Sequence, residues 1–355
     1  MTALVPGWKA SSVSIDVSGP AASALSSDFT DAAASPASLN SADFSRSPGS
    51  SSPAPGSRGA MASVSRRFSL RAVAAAAVAG PAAAVYGPGT AYAADGRRGL
   101  RVMTFNLRYA SDARPHSWAE RRPVMRTLMR DEVPHLLGTQ EGLYGQLRDI
   151  AEDLGPHYDW VGTGRGGGSK DEFEAAFYDA RRLAPVEYDH FWLSDTPYLM
   201  GSATWGNTVI RMVTWVRFRD LRAGGEFFLL NTHLDHANQY SRERSAGLIN
   251  ERLGGLDPSL PRIVTGDFNV AAHKNSVYEA MLDGGSLVDS WDTADERSRQ
   301  YATFHGYRPL VPDGDRVDWI LTSPGVHTRR ATINTYSAHG QFPSDHLPVQ
   351  ALLDW

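Results

Sequence analysis

The sequence predicts a layered α/β sandwich. Strand-like runs greatly outnumber helix-like runs along the chain. No helix follows each strand, as a (β/α)8 barrel would require. No internal repeat occurs at solenoid periods. Many strands with few helices are best buried as stacked sheets covered by those helices.

Leu100 to Asn106 alternates and reads as a strand. Ser117 is suited to N-cap a helix running to about Met129, with Val124, Leu128 and Met129 on its apolar face. Pro134 stops that helix, and His135 to Glu141 reads as a short strand. A second helix is expected near Tyr144 to Leu154. Strands are expected at Tyr158–Val161, Glu174–Tyr178, Val209–Phe218 and Phe227–Thr232. Arg242 to Leu253 has a helical pattern. The remaining strands are expected at Arg262–Thr265, Arg316–Leu321, Ala331–Asn334 and Pro348–Leu352.

The first 60 residues are rich in Ser, Ala, Pro and Gly and show no apolar period. Such a segment cannot bury enough surface to offset its ordering entropy, so 1–60 is expected to be disordered or to precede the true start at Met61. Residues 61–93 read as a signal peptide. Arg66 and Arg67 form a basic head, an Ala/Val-rich stretch follows, and Ala91-Tyr92-Ala93 supplies a cleavage site. The arginine pair suggests twin-arginine export, with the general secretory route as the alternative, and a secreted product. The apolar stretch contains Gly80 and Pro81 and is too short and weak for a stable membrane span.

Residues 94–355 would then be one domain, carrying 29 Lys+Arg and 35 Asp+Glu for a net charge of −6. That balance disfavours nucleic acid as partner, because nonspecific affinity for it comes from neutralised phosphates. It leaves a nuclease open as the alternative, since a local basic cleft can exist on an acidic protein. The chain has no cysteine, which excludes thiolate chemistry and Cys-type metal sites. A monomer is expected.

The most informative stretch is Ile263-Val264-Thr265-Gly266-Asp267-Phe268-Asn269-Val270. In extended chain Asp267 and Asn269 would project to the same side, pairing a proton acceptor with an amide that can hold water or an oxyanion. Other strands end in comparable groups: Asn106 in Met103-Thr-Phe-Asn-Leu, Glu141 after Gly138-Thr-Gln, and His233 in Asn231-Thr-His-Leu. Glu141 is a hard oxygen ligand suited to Mg²⁺ or Mn²⁺, or else an acid favoured at a helix N-terminus. Asp318 lies between Val317 and Trp319, and burial there would cost several kcal/mol without a partner. His346, in Ser344-Asp345-His346-Leu-Pro-Val, can be that partner. Arg211 stands in an apolar run and is read as a phosphate contact or a salt bridge across the sandwich. Gly162-Thr-Gly-Arg-Gly-Gly matches a dinucleotide fingerprint, but a strand rather than a helix is expected after it, so it is read as a hairpin near the substrate. Trp118, Trp205 and His305 are candidates for lining a pocket.

Each motif alone is weak, but their order is specific. Strand-Asn, Gln-Glu, Asn-Thr-His-Leu, Gly-Asp-Phe-Asn, Val-Asp-Trp-Ile and Ser-Asp-His-x-Pro-Val resemble the endonuclease/exonuclease/phosphatase superfamily over essentially all of 98–355. Ser117-Trp-Ala-Glu-Arg, Phe191-Trp-Leu-Ser and Asp235-His236 are similar to a bacterial branch of uncertain substrate. The resemblance implies a four-layer α/β/β/α sandwich, deoxyribonuclease-like, with the site at one edge of the sheets. It implies an exported, divalent-metal-dependent phosphoester hydrolase using Mg²⁺, or Mn²⁺. Glu141 would be the main metal ligand with Asn106 close by, and Asp345 would support the metal or His346. Asp267 would activate water, Asn269 would orient it, and His233 and His346, the latter held by Asp318, would meet charge on the phosphoryl group. Arg108 occupies a position where some nucleases of the superfamily carry an acid, and is expected to contact phosphate. The expected substrate is a small, sugar- or lipid-derived phosphoester; a secreted nuclease and an inactive binding module of the same fold are the alternatives.

Overall fold

The computed structural model describes residues 99–355. The expected leader at 61–93 and the segment 1–60 lie outside the described residues.

Two large sheets and a small two-stranded sheet carry the fold. The first sheet comprises β1 (Leu100–Asn106), β2 (Leu136–Gln140), β4 (Tyr158–Val161), β6 (Ala176–Asp179), β12 (Glu296–Arg297), β14 (His327–Ile333) and β15 (Val349–Asp354), in the order β12-β14-β15-β1-β2-β6-β4. The second comprises β7 (Leu183–Trp192), β8 (Met212–Asp220), β9 (Glu226–His233), β10 (Arg262–Asp267), β11 (Val288–Asp289) and β13 (Asp318–Thr322), in the order β11-β13-β10-β9-β8-β7. Strands β3 (Gly142–Leu143) and β5 (Glu172–Phe173) pair by themselves. The helices are α1 (Trp118–Glu132), α2 (Tyr144–Leu154), α3 (Gln239–Gly254), α4 (Ser276–Leu282) and the single turn α5 (Ser290–Thr293). At the start of α1 the Glu120 carboxylate accepts from both the Ser117 N–H and its hydroxyl, at 2.9 Å each. These bonds meet the capping expectation for Ser117.

Strand periodicity explains the layers. Along β1, Leu100 and Val102 join the core between the sheets, whereas Met103 and Phe105 pack beneath Met125 and Leu128 of α1 and Leu147 of α2. In the second sheet, Leu229, Ile263 and Ile320 face the first sheet, while Leu230, Val264 and Trp319 pack under α3 and α4. The three apolar layers make the four-layer sandwich that the resemblance implied. Because the central strands are buried on both faces, they read as almost unbroken apolar runs.

The inter-sheet face changes character toward one end. Beyond the aliphatic residues comes a ring of amides and hydroxyls centred on fully buried Asn231. Its Oδ1 accepts from Gln140 Nε2 at 2.8 Å and Thr265 Oγ1 at 2.9 Å, and its Nδ2 donates to Thr139 O and Ala175 O at 2.8 and 3.1 Å. Gly138 lets the sheets approach there: a Cβ would stand 2.3 Å from Thr265 Oγ1 and 2.5 Å from Asn231 Oδ1. One step further along the same period-2 rows lie Asn106, His233, Asp267 and Asp318.

Several boundaries differ from the sequence reading. The expected strand 174–178 corresponds to β6, Ala176–Asp179, and the short β5 at Glu172–Phe173 precedes it. Arg211 precedes β8 rather than lying in it, and α3 starts at Gln239 instead of Arg242. Strand β7 and helix α4 were not anticipated. β7 is the sheet edge, and its register shifts between Pro185 and Glu187. An edge strand carrying proline and charges lacks the continuous apolar signal.

Candidate active site

Strand register assembles the ionisable groups. Asp267 is paired with His233 of β9 on one side and with Asp318 of β13 on the other. The three therefore stand abreast, with parities that turn their side chains into the inter-sheet space. Asn106, ending β1 in the facing sheet, closes the gap. Its Nδ2 donates at 2.9 Å both to Glu141 Oε1 and to Asp267 Oδ2. Glu141 follows β2 with φ 63°, a left-handed residue that turns the chain into β3.

Asn269 reaches the cluster by a route other than the expected pleat. The strand ends at Asp267, and Asn269 adopts φ 53°. Its N–H donates to Asp267 Oδ1 at 2.9 Å, forming a turn around the carboxylate. Its Nδ2 donates to Leu234 O at 3.0 Å and lies 2.9 Å from His233 Nε2.

His346 faces Asp267 from the other side. Its Nδ1 is 3.0 Å from Asp318 Oδ2, and its Nε2 is 3.6 Å from Asp267 Oδ2. Ser344 anchors this segment by donating from Oγ to Asn106 O at 2.7 Å. Arg121 clamps the same region. It is fully buried and donates to Leu107 O, Arg108 O, Tyr109 O, His116 O and Pro343 O.

The electrostatics follow from burial and pairing. Burial and neighbouring Asp318 push the Asp267 carboxyl up to about 7, against the pull of His346 and two hydrogen bonds. Burial opposes charge on His346, yet Asp318 and Asp267 push it up to about 10, so it is a cation at neutral pH. His233 is driven well below its usual value by burial and by the Arg211 and Arg165 guanidiniums. Arg165 Nη2 lies 3.2 Å from His233 Nδ1, and a guanidinium can only donate. A protonated His233 ring would face that donor with no acceptor. The site thus holds one charged and one neutral imidazole.

Arg165 was missed as a site residue, although it sits inside the Gly-rich stretch read as a hairpin near the substrate. It pairs with Glu172 at 2.6 Å and Glu174 at 2.9 Å, and no helix follows it. A buried arginine in a Gly-rich turn carries no local pattern; the bridge of Gly164 to Phe173 brings it to Glu172 and Glu174.

Asp345 lies outside the tight carboxylate–imidazole group; its Oδ2 is 3.8 Å from Arg108 Nε. Arg108 lies over the Tyr307 ring at 4.8 Å, and its Nη1 is buried with no partner. Arg211 is 3 % exposed, and its Nε and Nη1 meet no acceptor. Among the described residues no carboxylate forms a salt bridge with it. Trp118 donates to Asp149, joining α1 to α2, and Trp205 is packed in the core under α3. His305 is buried, with its N–H donating to Asp345 O. Asp235 staples its own loop, where Asn238, Ala237 and Thr208 donors outweigh burial and hold it at about 2.

The donor set fits a hard divalent cation. Glu141, His233 and Asp267 offer ligand atoms within 4.8 Å of one another, and Asn106 lies against two of them. Oxygen-rich sets of this kind suit Mg²⁺ or Mn²⁺. A separate group, His273, Asp289 and Asp292, is already engaged: Arg316 lies 2.8 Å from Asp289, and the Tyr278 hydroxyl donates to both acids.

Carboxylates, amides and a charged imidazole converge at one rim of a two-sheet sandwich, and such groups could hold a divalent ion beside a reacting phosphoester. A sequence model of the Endonuclease/Exonuclease/phosphatase family matches residues 103–346, and the chain belongs to that family, whose members hydrolyse phosphoester bonds. Among solved structures it is similar to a mannosyl-6-phosphatase of Bacteroides thetaiotaomicron, at 35% identity over 72% of this chain and 100% of that one, TM-score 0.68. A family protein from Bacteroides vulgatus is 30% identical over 72% of this chain and 98% of its own, TM-score 0.68. The human Nocturnin catalytic domain, with bound sulfate, shares the fold at 18% identity over 72% and 93%, TM-score 0.58. No curated protein matches the chain.

Proposed function

We propose that the protein is an exported, divalent-metal-dependent hydrolase of a small, sugar- or lipid-derived phosphoester. The observation that carries this reading is the continuous contact from Glu141 through Asn106 and Asp267 to His346 and Asp318. The likeness to a mannosyl-6-phosphatase supports a small phosphorylated substrate.

Glu141 and Asn106, with Asp267 beside them, would hold the ion; Asp345 would act through Arg108 and the neighbouring His346. A bound divalent ion polarises a phosphoryl oxygen and lowers the pKa of a water. Asp267 accepts the proton of the attacking water, its carboxyl being poised near neutral pH by burial. Asn269 orients that water. The His346 cation, fixed by Asp318, meets charge developing on phosphoryl oxygens, and neutral His233 adds a hydrogen bond without a second cation. Arg211 and Arg108 carry buried N–H groups without acceptors, which supports their reading as phosphate contacts.

Purified protein tested on sugar phosphates, sphingomyelin, inositol phosphates, DNA and RNA, with and without EDTA, checks the reading. Turnover confined to the small esters and lost in EDTA is expected; cleavage of nucleic acid alone would favour a nuclease, and no turnover an inactive binding module. The export proposal rests on residues 61–93. Amino-terminal sequencing of secreted protein should begin near Ala94, and a mature form retaining residues before Met61 would contradict it.

A further inference from the structure

A cavity of about 470 Å³ adjoins the reaction centre on the side of the β3–β5 pair. Two links tie it to the catalytic groups. Leu143, two residues past Glu141, is in register with Glu172, and both line the cavity. Arg165, also in the lining, reaches His233. An ester whose phosphorus lies beside Asp267 therefore has room here for its organic part. The volume is within the range of small-molecule sites, roughly 300–1,000 Å³.

The lining states what that part can be. Leu143, Val209 and Ile210 provide aliphatic wall, and no aromatic ring is present. Bases and quaternary ammonium groups are held mainly by aromatic faces, so a nucleobase or a choline head has no platform. Asp171 and Glu172 supply carboxylate oxygens; Glu172 Oε2 is paired with Arg165, the single cation, at 2.6 Å, which leaves its other oxygen and the Asp171 carboxylate to accept. A second phosphate, as in a polynucleotide, would meet net negative charge. Asn207 and Thr208 contribute little, because their side chains are committed to Ser241 and Asp235. What remains is a group with several hydroxyl donors for the carboxylates and C–H faces for the aliphatic wall.

We infer that this cavity is the leaving-group subsite, that it takes a monosaccharide or similar polyol, and that Asp171 and Glu172 read its hydroxyls. This deepens the phosphoester reading and rests on it. It selects the sugar over the lipid-derived substrate and places specificity on the β3–β5 pair, which begins beside Glu141, the residue proposed to hold the metal.

The test compares the full chain, with Mg²⁺, on mannose 6-phosphate, glucose 6-phosphate, phosphocholine and ethyl phosphate. Ethyl phosphate keeps a primary alcohol leaving group but has no hydroxyls. At least one hexose phosphate should exceed ethyl phosphate in kcat/KM by roughly 100-fold, as expected for two hydrogen bonds to charged groups. Glu172→Gln and Asp171→Asn should each shrink that ratio about tenfold. Equal kcat/KM for hexose and ethyl phosphates, or ratios unmoved by both substitutions, would overturn the subsite while leaving the hydrolase reading intact. Calorimetric binding of the hexose phosphates to Asp267→Ala separates the two failures. Binding that weakens on adding Glu172→Gln, with no turnover by the unmodified protein, would retain the subsite and refute the hydrolase. Absence of binding together with absence of turnover would refute both.

Discussion

Replacing Asp267 by Asn should stabilise the metal-free fold at alkaline pH while removing turnover. Asp267 is 1% exposed, and its carboxyl is held up to about 7. An unfolded chain releases that proton near pH 4. Native stability therefore falls as pH rises from about 4 to 7, and the penalty is fully developed above that window. At pH 8.5 it is of order 4 kcal/mol, and at pH 5 between 1 and 2, roughly. Asn escapes it, but its amide cannot accept from both the Asn106 Nδ2 and the Asn269 N–H, which returns about 1–2 kcal/mol. Urea unfolding in EDTA should thus give nearly equal stabilities at pH 5, and Asp267→Asn more stable by about 2–3 kcal/mol at pH 8.5. A variant less stable than the parent at both pH values, or a gap that does not widen with pH, would refute the argument.

Asp318→Asn removes the main support of the His346 cation. Raised toward 10, His346 contributes stability that is complete below its unfolded value and lost as pH climbs through 10. The variant should lose stability at neutral pH, lose roughly 10²–10⁴-fold in kcat, and move the alkaline fall of its pH–rate profile to lower pH; an unmoved profile contradicts the pairing. Gly138→Ala drives a Cβ into Thr265 and Asn231 and should cost about 1–3 kcal/mol in chemical unfolding. A neutral result would mean that the sheets can separate there without loss.

Much of this was legible because the chain obeys strand parity. Ile263, Thr265 and Asp267 form one row, and the shift from aliphatic to hydroxyl to acid along it marks where the core ends and chemistry begins. Leu229, Asn231 and His233 repeat the gradient in β9. Asn269 came to the cluster although the pleat argument failed, because an acid two residues before a left-handed Asn makes its own turn. Arg165 and Arg121 were not legible as site residues: the contacts that carry them to the site, Arg165 to His233 and Arg121 to Pro343 O, span long stretches of sequence. The edge strand β7 was hidden by Pro185 and its charges, and the cavity wall at Asp171 and Glu172 by a long-range pairing of only two residues per strand.

The central claim is that one divalent cation, held by Glu141 and Asn106 beside Asp267, is required for phosphoester cleavage. Its most direct test is a Mg²⁺ titration of EDTA-stripped protein, following phosphate release from a hexose phosphate by the parent chain and by Glu141→Gln. No turnover is expected without metal, with recovery on titration and a midpoint for Glu141→Gln displaced upward by at least about tenfold. Undiminished turnover in EDTA, or titration curves for the two proteins that superimpose, would contradict it.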